Sequence, residues 1–466
     1  MTVLLIRDAE VNGRPGIDIR LRDGLVEQVG PGLPTAGAEV LAAHGGAVVP
    51  GLHDHHLHLH ASAADAASVR CGPPAVRDRA ALAAALATAP ADESGWVRGV
   101  GYIETVAGDL DATALDALHA GRPVRIQHRS GALWMLNSAA LAAAALSEAT
   151  HSGLERDAGG NPTGRIWRAD TWLRTRLPRT APPDLRALGR TLTRYGITGV
   201  TDATPDLSPR SRSALVAAAD DGIIPQRLHL LGVPLDSAAP DSDRVTVGPY
   251  KIVIADSALP DLDHLVQRIQ HAHQRNRAVA VHCVTRAALL LFLAALDVTG
   301  ARPGDRVEHG ALIPPDVDDD IRRHRLSVVT QPGFLADRGD DYLRDIAPDD
   351  LPDLYRCRSL LDARIPLALS SDAPYGPLDP WAVIAAAATR ITPEGTALNP
   401  AESLTPRQAL DAYLAPAHAP GGAPRIVRPG VPADLVVLHT PSALALRRPS
   451  ADHVRYTIID GIPFPA

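Results

Sequence analysis

At 466 residues the chain is long enough for one large core, or one large domain with a small satellite, and its 45% apolar and 21% charged content is that of an ordinary globular protein. A formal charge of −7 with no block of like charge leaves no basic footprint for nucleic acid and no membrane-surface helix. The first apolar run is broken by Arg7 and Asp8 and no later one is long enough to span a bilayer, so neither a secretory signal nor a transmembrane helix is expected; Cys71, Cys283 and Cys357, with no CxxC spacing, fit a reduced cytoplasmic protein.

In chain order, residues 1–50 alternate short strand-like runs with Gly and Pro turns: "TVLLIRDAEV", "IDIRLRDG", "LVEQVGPG" and "GAVVPG". Similar runs, "PADLVVLHT" and "HVRYTIIDGIP", close the chain. Residues 1–50 and 424–466 are therefore expected to pair into one small β-sandwich domain. Between them, residues 51–423 change rhythm. Apolar strand-type runs alternate with Ala/Leu-rich stretches of helical length: "GLHDHHLHLH", then 196–203, 226–233, 250–257, 278–285, 306–313, 327–333 and 365–374. Eight such units predict an α/β fold, a (β/α)8 TIM barrel. The first two runs are too far apart for one helix, so residues 65–185 are read as an insertion rising over the active-site mouth.

Two features stand out against this background. "GLHDHHLHLH" (51–60) carries five histidines in ten positions. On a strand, residues 54, 56 and 58 share a face, so His56 and His58 form a pair of imidazole ligands with Asp54 below them, while His53 and His55 have the opposite parity and His60 lies past the strand end. The second feature is a bias: of the 46 basic residues, all but Lys251 are arginine. A lone lysine amid such a bias points to chemistry that arginine cannot perform. Lys251 falls on the fourth strand, His282 on the fifth, His309 on the sixth and Asp372 at the end of the eighth. Barrel enzymes gather active-site groups at these strand ends.

This order resembles the amidohydrolase superfamily, specifically its YtcJ-like amidohydrolase family 3 branch. "VVPGLHDHHLH" is similar to that family's PGxxDxHxH strand. "GVGYIETVAGDLDATALDAL", "RPVRIQHRSGALWMLNSAAL" and "PTGR" resemble its insertion, and "YGITGVTDA", "YKIVIAD", "RVEHGALI", "SSDAPYGPLDPW" and "VRPGVPADLVVL" its later blocks. The resemblance implies a binuclear centre: His56, His58 and Asp372 on one divalent ion, His282 and His309 on the other, and Lys251 bridging them as N6-carboxylysine. Zinc suits these donors, and manganese or iron(II) is also admitted. Two departures are present. Ala132 stands where relatives carry a histidine, which moves that contact to His128 or removes it, and Ser257 replaces a glycine after the lysine strand.

The resulting expectation is a hydrolase of a C–N bond (amide, cyclic amide or related) in a small molecule. A hydroxide between two cations would attack, with Asp372 as general base. Tyr102, Arg129, Trp134, Asn137 and Arg168 are candidates for the substrate wall. No nucleic acid or membrane partner is expected, and a homodimer is compatible with the sequence. The alternatives on the same scaffold are a mononuclear deaminase or a non-hydrolytic lyase or isomerase. The deaminase reading calls for His-x-x-Glu after the fifth strand, where this chain has "HCVT" ending in Thr285.

Overall fold

Alternating apolar residues at the two ends of the chain meet in one sheet. The computed structural model describes residues 3–178, 181–255 and 259–466, so Ser257 lies outside the described residues. The strand order is Ile462–Pro465, Val454–Ile459, Leu435–Leu438, Ala47–Pro50, Val3–Val11, Arg14–Arg22, Leu25–Gly30, with Glu39–Ala42 also on Val3–Val11. Residues 4–7 of Val3–Val11 pair with 39–42 and residues 10–11 pair with 47–48, the register shifting around Ala9. One long strand thus carries two short ones: seven strands follow one hydrogen-bonded path, and Glu39–Ala42 pairs with Val3–Val11 off it. Leu4, Ile6, Ile19, Leu21, Val48, Leu435, Val437 and Ile458 bury its apolar face.

The middle of the chain supplies eight parallel strands: β1 (Leu52–Leu57), β2 (Ile197–Asp202), β3 (Arg227–Leu230), β4 (Tyr250–Val253), β5 (Val279–Cys283), β6 (Arg306–His309), β7 (Ser327–Thr330) and β8 (Leu367–Leu369). Every residue of β1, β2, β6 and β8 is buried, as strands covered on both faces require. Helices separate most of them and start on sequence-coded caps. Ser208 caps Pro209–Asp220, Asp261 caps Leu262–Gln274, and Thr285 caps Arg286–Thr299 by accepting from the Ala288 N–H at 3.2 Å. Thr285 therefore has a structural task in the place a deaminase would use for Glu.

The pairing divides into two runs, one ending at β3 and the other starting at β4. The break has a local cause. A short strand, Val245–Val247, pairs with β3, and the chain then passes through Gly248 and Pro249 before β4. Proline has no N–H to give the ladder. A Cβ at Gly248 would lie 2.4 Å from His229 Nε2. Beyond this interruption the Lys251 N–H donates to Leu231 O at 3.2 Å. At the other seam the Asp372 N–H donates to His56 O and the His58 N–H to Ala373 O, both at 2.8 Å.

The chain divides into two compact units. One comprises residues 1–62 and 184–466, and the other is Ala63–Pro183. The second has its own six-stranded sheet, ordered Leu154–Arg156, Pro162–Trp167, Leu133–Leu136, Val124–His128, Val97–Tyr102, Val69–Arg70. It also has its own apolar clusters, around Leu82, Leu86, Val97, Leu115 and Ile126 and around Trp96, Trp134, Leu136 and Ile166. No helix among the described residues is long and apolar enough to cross a membrane.

Candidate metal centre

β1 delivers its histidines with help from its neighbours. Asp54, fully buried, accepts the N–H of His56 at 3.1 Å and that of Ser371 at 3.2 Å through Oδ1, stapling β1 to the segment after β8. Burial pushes its carboxyl up to about 7, against the pull of those hydrogen bonds. Asp202, ending β2, accepts from the N–H groups of Leu59 at 2.8 Å and Thr204 at 3.1 Å. It thereby fixes the turn that carries His58, whose Nδ1 lies 3.2 Å from Thr204 Oγ1.

The donors of His56, His58 and Asp372 lie within 4.8 Å of one another. Asp372 Oδ1 is 3.3 Å from His58 Nε2 and 3.6 Å from His56 Nε2. His309 follows on β6, its ring 4.7 Å from that of His56, and His282 on β5 lies 4.4 Å from His309. Burial holds His56 and His309 well below the usual histidine range, so both present neutral imidazoles, the form that binds metals. Lys251 on β4 is also buried, its Nζ makes no hydrogen bond, and burial lowers its pKa toward the neutral amine. The fields of Glu308 and Asp372 oppose that shift.

Two of these residues carry a backbone cost. His309 and Asp372 have φ of 70° and 53°, the left-handed region, which costs a non-glycine residue on the order of 1–2 kcal/mol. Hydrogen bonds hold the His309 side chain: its Nδ1 meets Gln331 Oε1 at 2.9 Å, and Gln331 Nε2 donates to Ser370 Oγ at 2.9 Å.

Orphaned atoms test whether a cation suits the site. His56 Nε2, Asp372 Oδ1 and Lys251 Nζ are buried without hydrogen-bond partners. Unsatisfied buried polar atoms are costly, and here two lone-pair donors converge within ligand distance of His58. The donor set fits a divalent metal.

Sequence reasoning missed what sits behind His56. The Glu308 carboxylate is fully buried; one oxygen contacts His56 Nδ1 and the other accepts from Arg306 Nε. Burial alone would raise its pKa, but Arg306, Lys251 and His309 outweigh that and lower it. An ionised carboxylate only accepts, so His56 carries its proton on Nδ1 and leaves Nε2 free. The signal was present in "RVEH": Arg306 and Glu308 stand two apart in an apolar strand, on one face.

The other histidines of β1 serve elsewhere. His53 Nε2 lies 2.9 Å from Thr201 Oγ1, its ring packs 4.7 Å from His55, and both are buried. His60 belongs to the helix Leu59–Ala66. All three cysteines are buried outside any disulfide, and the Cys283 thiol contacts Ala288 O. A cleft of about 650 Å³ opens near Pro50, Gly199, His229, Arg425 and Leu435, and none of the candidate ligands lines it.

The residues expected to form the substrate wall all lie in the Ala63–Pro183 unit. Tyr102 is buried and donates to Gly108 O at 2.5 Å. Trp134 Nε1 donates to Asp170 at 2.8 Å. Asn137 accepts the N–H of Val124 and Ala140 and donates to His119 O and Arg122 O, which makes it a helix cap and a loop clamp. The Arg129 N–H donates to Tyr102 O, and Arg168 is exposed with φ of 47°. His128 meets Ser130 Oγ at 2.7 Å and Glu104 Oε2 at 3.2 Å.

Comparison with known proteins follows the same lines. A family model described as "Amidohydrolase family" matches residues 39–463. The chain is 24% identical over 424 residues to YtcJ of Bacillus subtilis (strain 168), which carries an amidohydrolase designation, covering 80% of each. It is 25% identical over 444 residues to the N-substituted formamide deformylase of Arthrobacter pascens, covering 82% of this chain and 81% of that one. Among solved structures, an uncharacterized metal-dependent hydrolase from Pyrococcus horikoshii OT3 superposes with a TM-score of 0.75 at 18% identity, covering 93% of this chain and 96% of the other. These likenesses establish a TIM-barrel-type α/β fold.

Proposed function

The chain belongs to the amidohydrolase family, and from that premise we propose that it is a metal-dependent hydrolase of a small molecule's C–N bond, in an amide, cyclic amide or related group. The observation that carries the reading is the convergence of His56, His58 and Asp372 within 4.8 Å, with the buried amine of Lys251 behind them.

His56, His58 and Asp372 would hold one divalent ion and His282 and His309 a second, with Lys251 as a carboxylated bridge. The eight parallel strands close into a barrel around them. A divalent metal there supplies Lewis acidity: it acidifies water and polarises a carbonyl. Zinc fits the imidazole and carboxylate donors, and manganese or iron(II) fits them as well.

The protein's own groups do the rest. Glu308 keeps the His56 proton on Nδ1 and so keeps Nε2 available as a donor. Asp372, holding the ion through Oδ1, would use its second carboxylate oxygen to accept the proton of the attacking water and return it to the leaving nitrogen. The buried, unpartnered Lys251 amine can react in its neutral form with carbon dioxide, releasing a proton and giving an anionic carbamate with two oxygens; arginine cannot.

Purified protein, stripped by chelator and reloaded with zinc, manganese or iron(II), should be screened against amides, cyclic imides, lactones and amino-heterocycles. Metal-restored cleavage of an amide or imide is the expected result. Turnover confined to amino-heterocycles, with release of ammonia, would establish a deaminase instead. Elemental analysis should give close to two ions per chain, and a value near one with Lys251 unmodified would exclude the bridged pair.

A further inference from the structure

Aromatic residues are scarce in this chain, which has three Phe and eight Tyr. Four of them, Phe334, Tyr342, Tyr355 and Tyr375, gather in one cluster with Val284, Ala311 and Leu312, residues that directly follow β5 and β6. That is the strand end where His282, His309 and Asp372 sit.

The cluster reaches the centre through Tyr375. Its N–H donates to Asp372 O at 2.9 Å, and its ring stands edge-on to His58, centroids 5.7 Å apart at 74°. Behind it, Phe334 and Tyr355 lie 6.2 Å apart, and Tyr342 and Tyr355 6.0 Å apart with their hydroxyls at 3.3 Å. Arg338 stacks on Phe334 at 4.5 Å and donates to Tyr375 O. Gly376 makes room for this arrangement, since a Cβ there would come within 2.9 Å of Phe334 Cε1 and 2.3 Å of Ser371 O.

Core packing explains Phe334 and Tyr355, which are buried. Tyr375 and Tyr342 pack against the same cluster but keep part of their surface open. A partly open ring beside a metal-ligand histidine is a surface for another flat group, because aromatic pairs gain on the order of 0.5–1.5 kcal/mol beyond simple burial. We propose that Tyr375, backed by Tyr355, Tyr342 and Phe334, forms a wall that selects amide substrates carrying an aryl group beside the scissile bond. This specificity rests on the hydrolase reading of the same site.

The test compares N-phenylacetamide with N-methylacetamide on the full-length, metal-loaded protein, by ligand-observed NMR titration for binding and by product release for turnover. Wild type should prefer the phenyl compound in binding. Tyr375→Ala should reduce that preference by about 3- to 10-fold, the equivalent of one aromatic contact. Tyr375→Phe should keep it, and Tyr375→Leu, which retains bulk without the flat face, should fall with the alanine variant. An unchanged ratio in folded, metal-loaded Tyr375→Ala and Tyr375→Leu overturns the wall. Should Tyr375→Ala fail to fold, the leucine variant alone decides. Absence of any amide cleavage, with the binding ratio behaving as expected, would instead count against the hydrolase reading and leave the aryl site standing.

Discussion

Replacing Glu308 by glutamine separates what holds a metal ligand from what holds the strand. The native carboxylate is fully buried, with Arg306 on one oxygen and the His56 Nδ1 proton on the other. An amide keeps the shape but turns one acceptor into a donor, which then faces an N–H whichever way it is oriented. Losing one hydrogen bond to a charged group costs about 1.5–3 kcal/mol. Arg306 makes matters worse, because its Nη1 and Nη2 are buried without hydrogen bonds and, among the described residues, Glu308 is the only carboxylate bonded to it. The unfolding free energy should therefore fall by about 3–5 kcal/mol, the scale of breaking a buried ion pair. Metal affinity should fall as well, by about 10- to 100-fold, because His56 loses the acceptor that fixes its tautomer. Competitive chelator titration with zinc on the folded variant reads the second quantity, and thermal unfolding reads the first. A stability loss with zinc affinity within about twofold of wild type would refute the reasoning, since Glu308 would then serve Arg306 alone. Glu308→Asp keeps the charge at shorter reach and should fall between the two.

Lys251→Arg should lose activity as fully as Lys251→Ala, and acetate or propionate should partly restore the alanine variant but not the arginine one, whose side chain fills the space; an active Lys251→Arg would make the residue a structural cation. Asp372→Asn, which keeps one oxygen donor and removes the proton acceptor, should lower hydrolysis by about 10²-fold or more, and near-normal turnover with wild-type metal content by elemental analysis would show that another group is the base.

Much of this was legible because strands repeat every two residues. The parity of "GLHDHHLHLH" sorted His56 from His53 and His55, and the structure indeed bonds His53 to Thr201, away from Asp372. All eight apolar runs of the middle segment became strands. What stayed hidden depended on contacts between distant segments. Glu308 stands 252 residues from His56, so only the folded chain brings its oxygen to that ring. The left-handed turns at His309 and Asp372 have no firm sequence mark, since neither is glycine and most histidines and aspartates lie elsewhere. Gly248 and Pro249 mark the interruption before β4, and the short strand Val245–Val247 falls outside the eight runs. Asn137 read as a pocket residue because it lies in an insertion block that resembles the family's; its four hydrogen bonds are to backbone within its own unit.

The sheet that joins both ends of the chain also dictates an order of events during synthesis. Ala47–Pro50 pairs on one side with Val3–Val11, a partner that has already left the ribosome, and on the other with Leu435–Leu438. At about 5–20 residues per second, the second partner arrives some tens of seconds after the first. Throughout that interval an apolar strand edge stands open beside a half-made barrel, which is the geometry that recruits neighbouring chains. The yield of active protein should therefore respond to translation speed and chaperone supply more steeply than the stability of the finished fold alone would suggest.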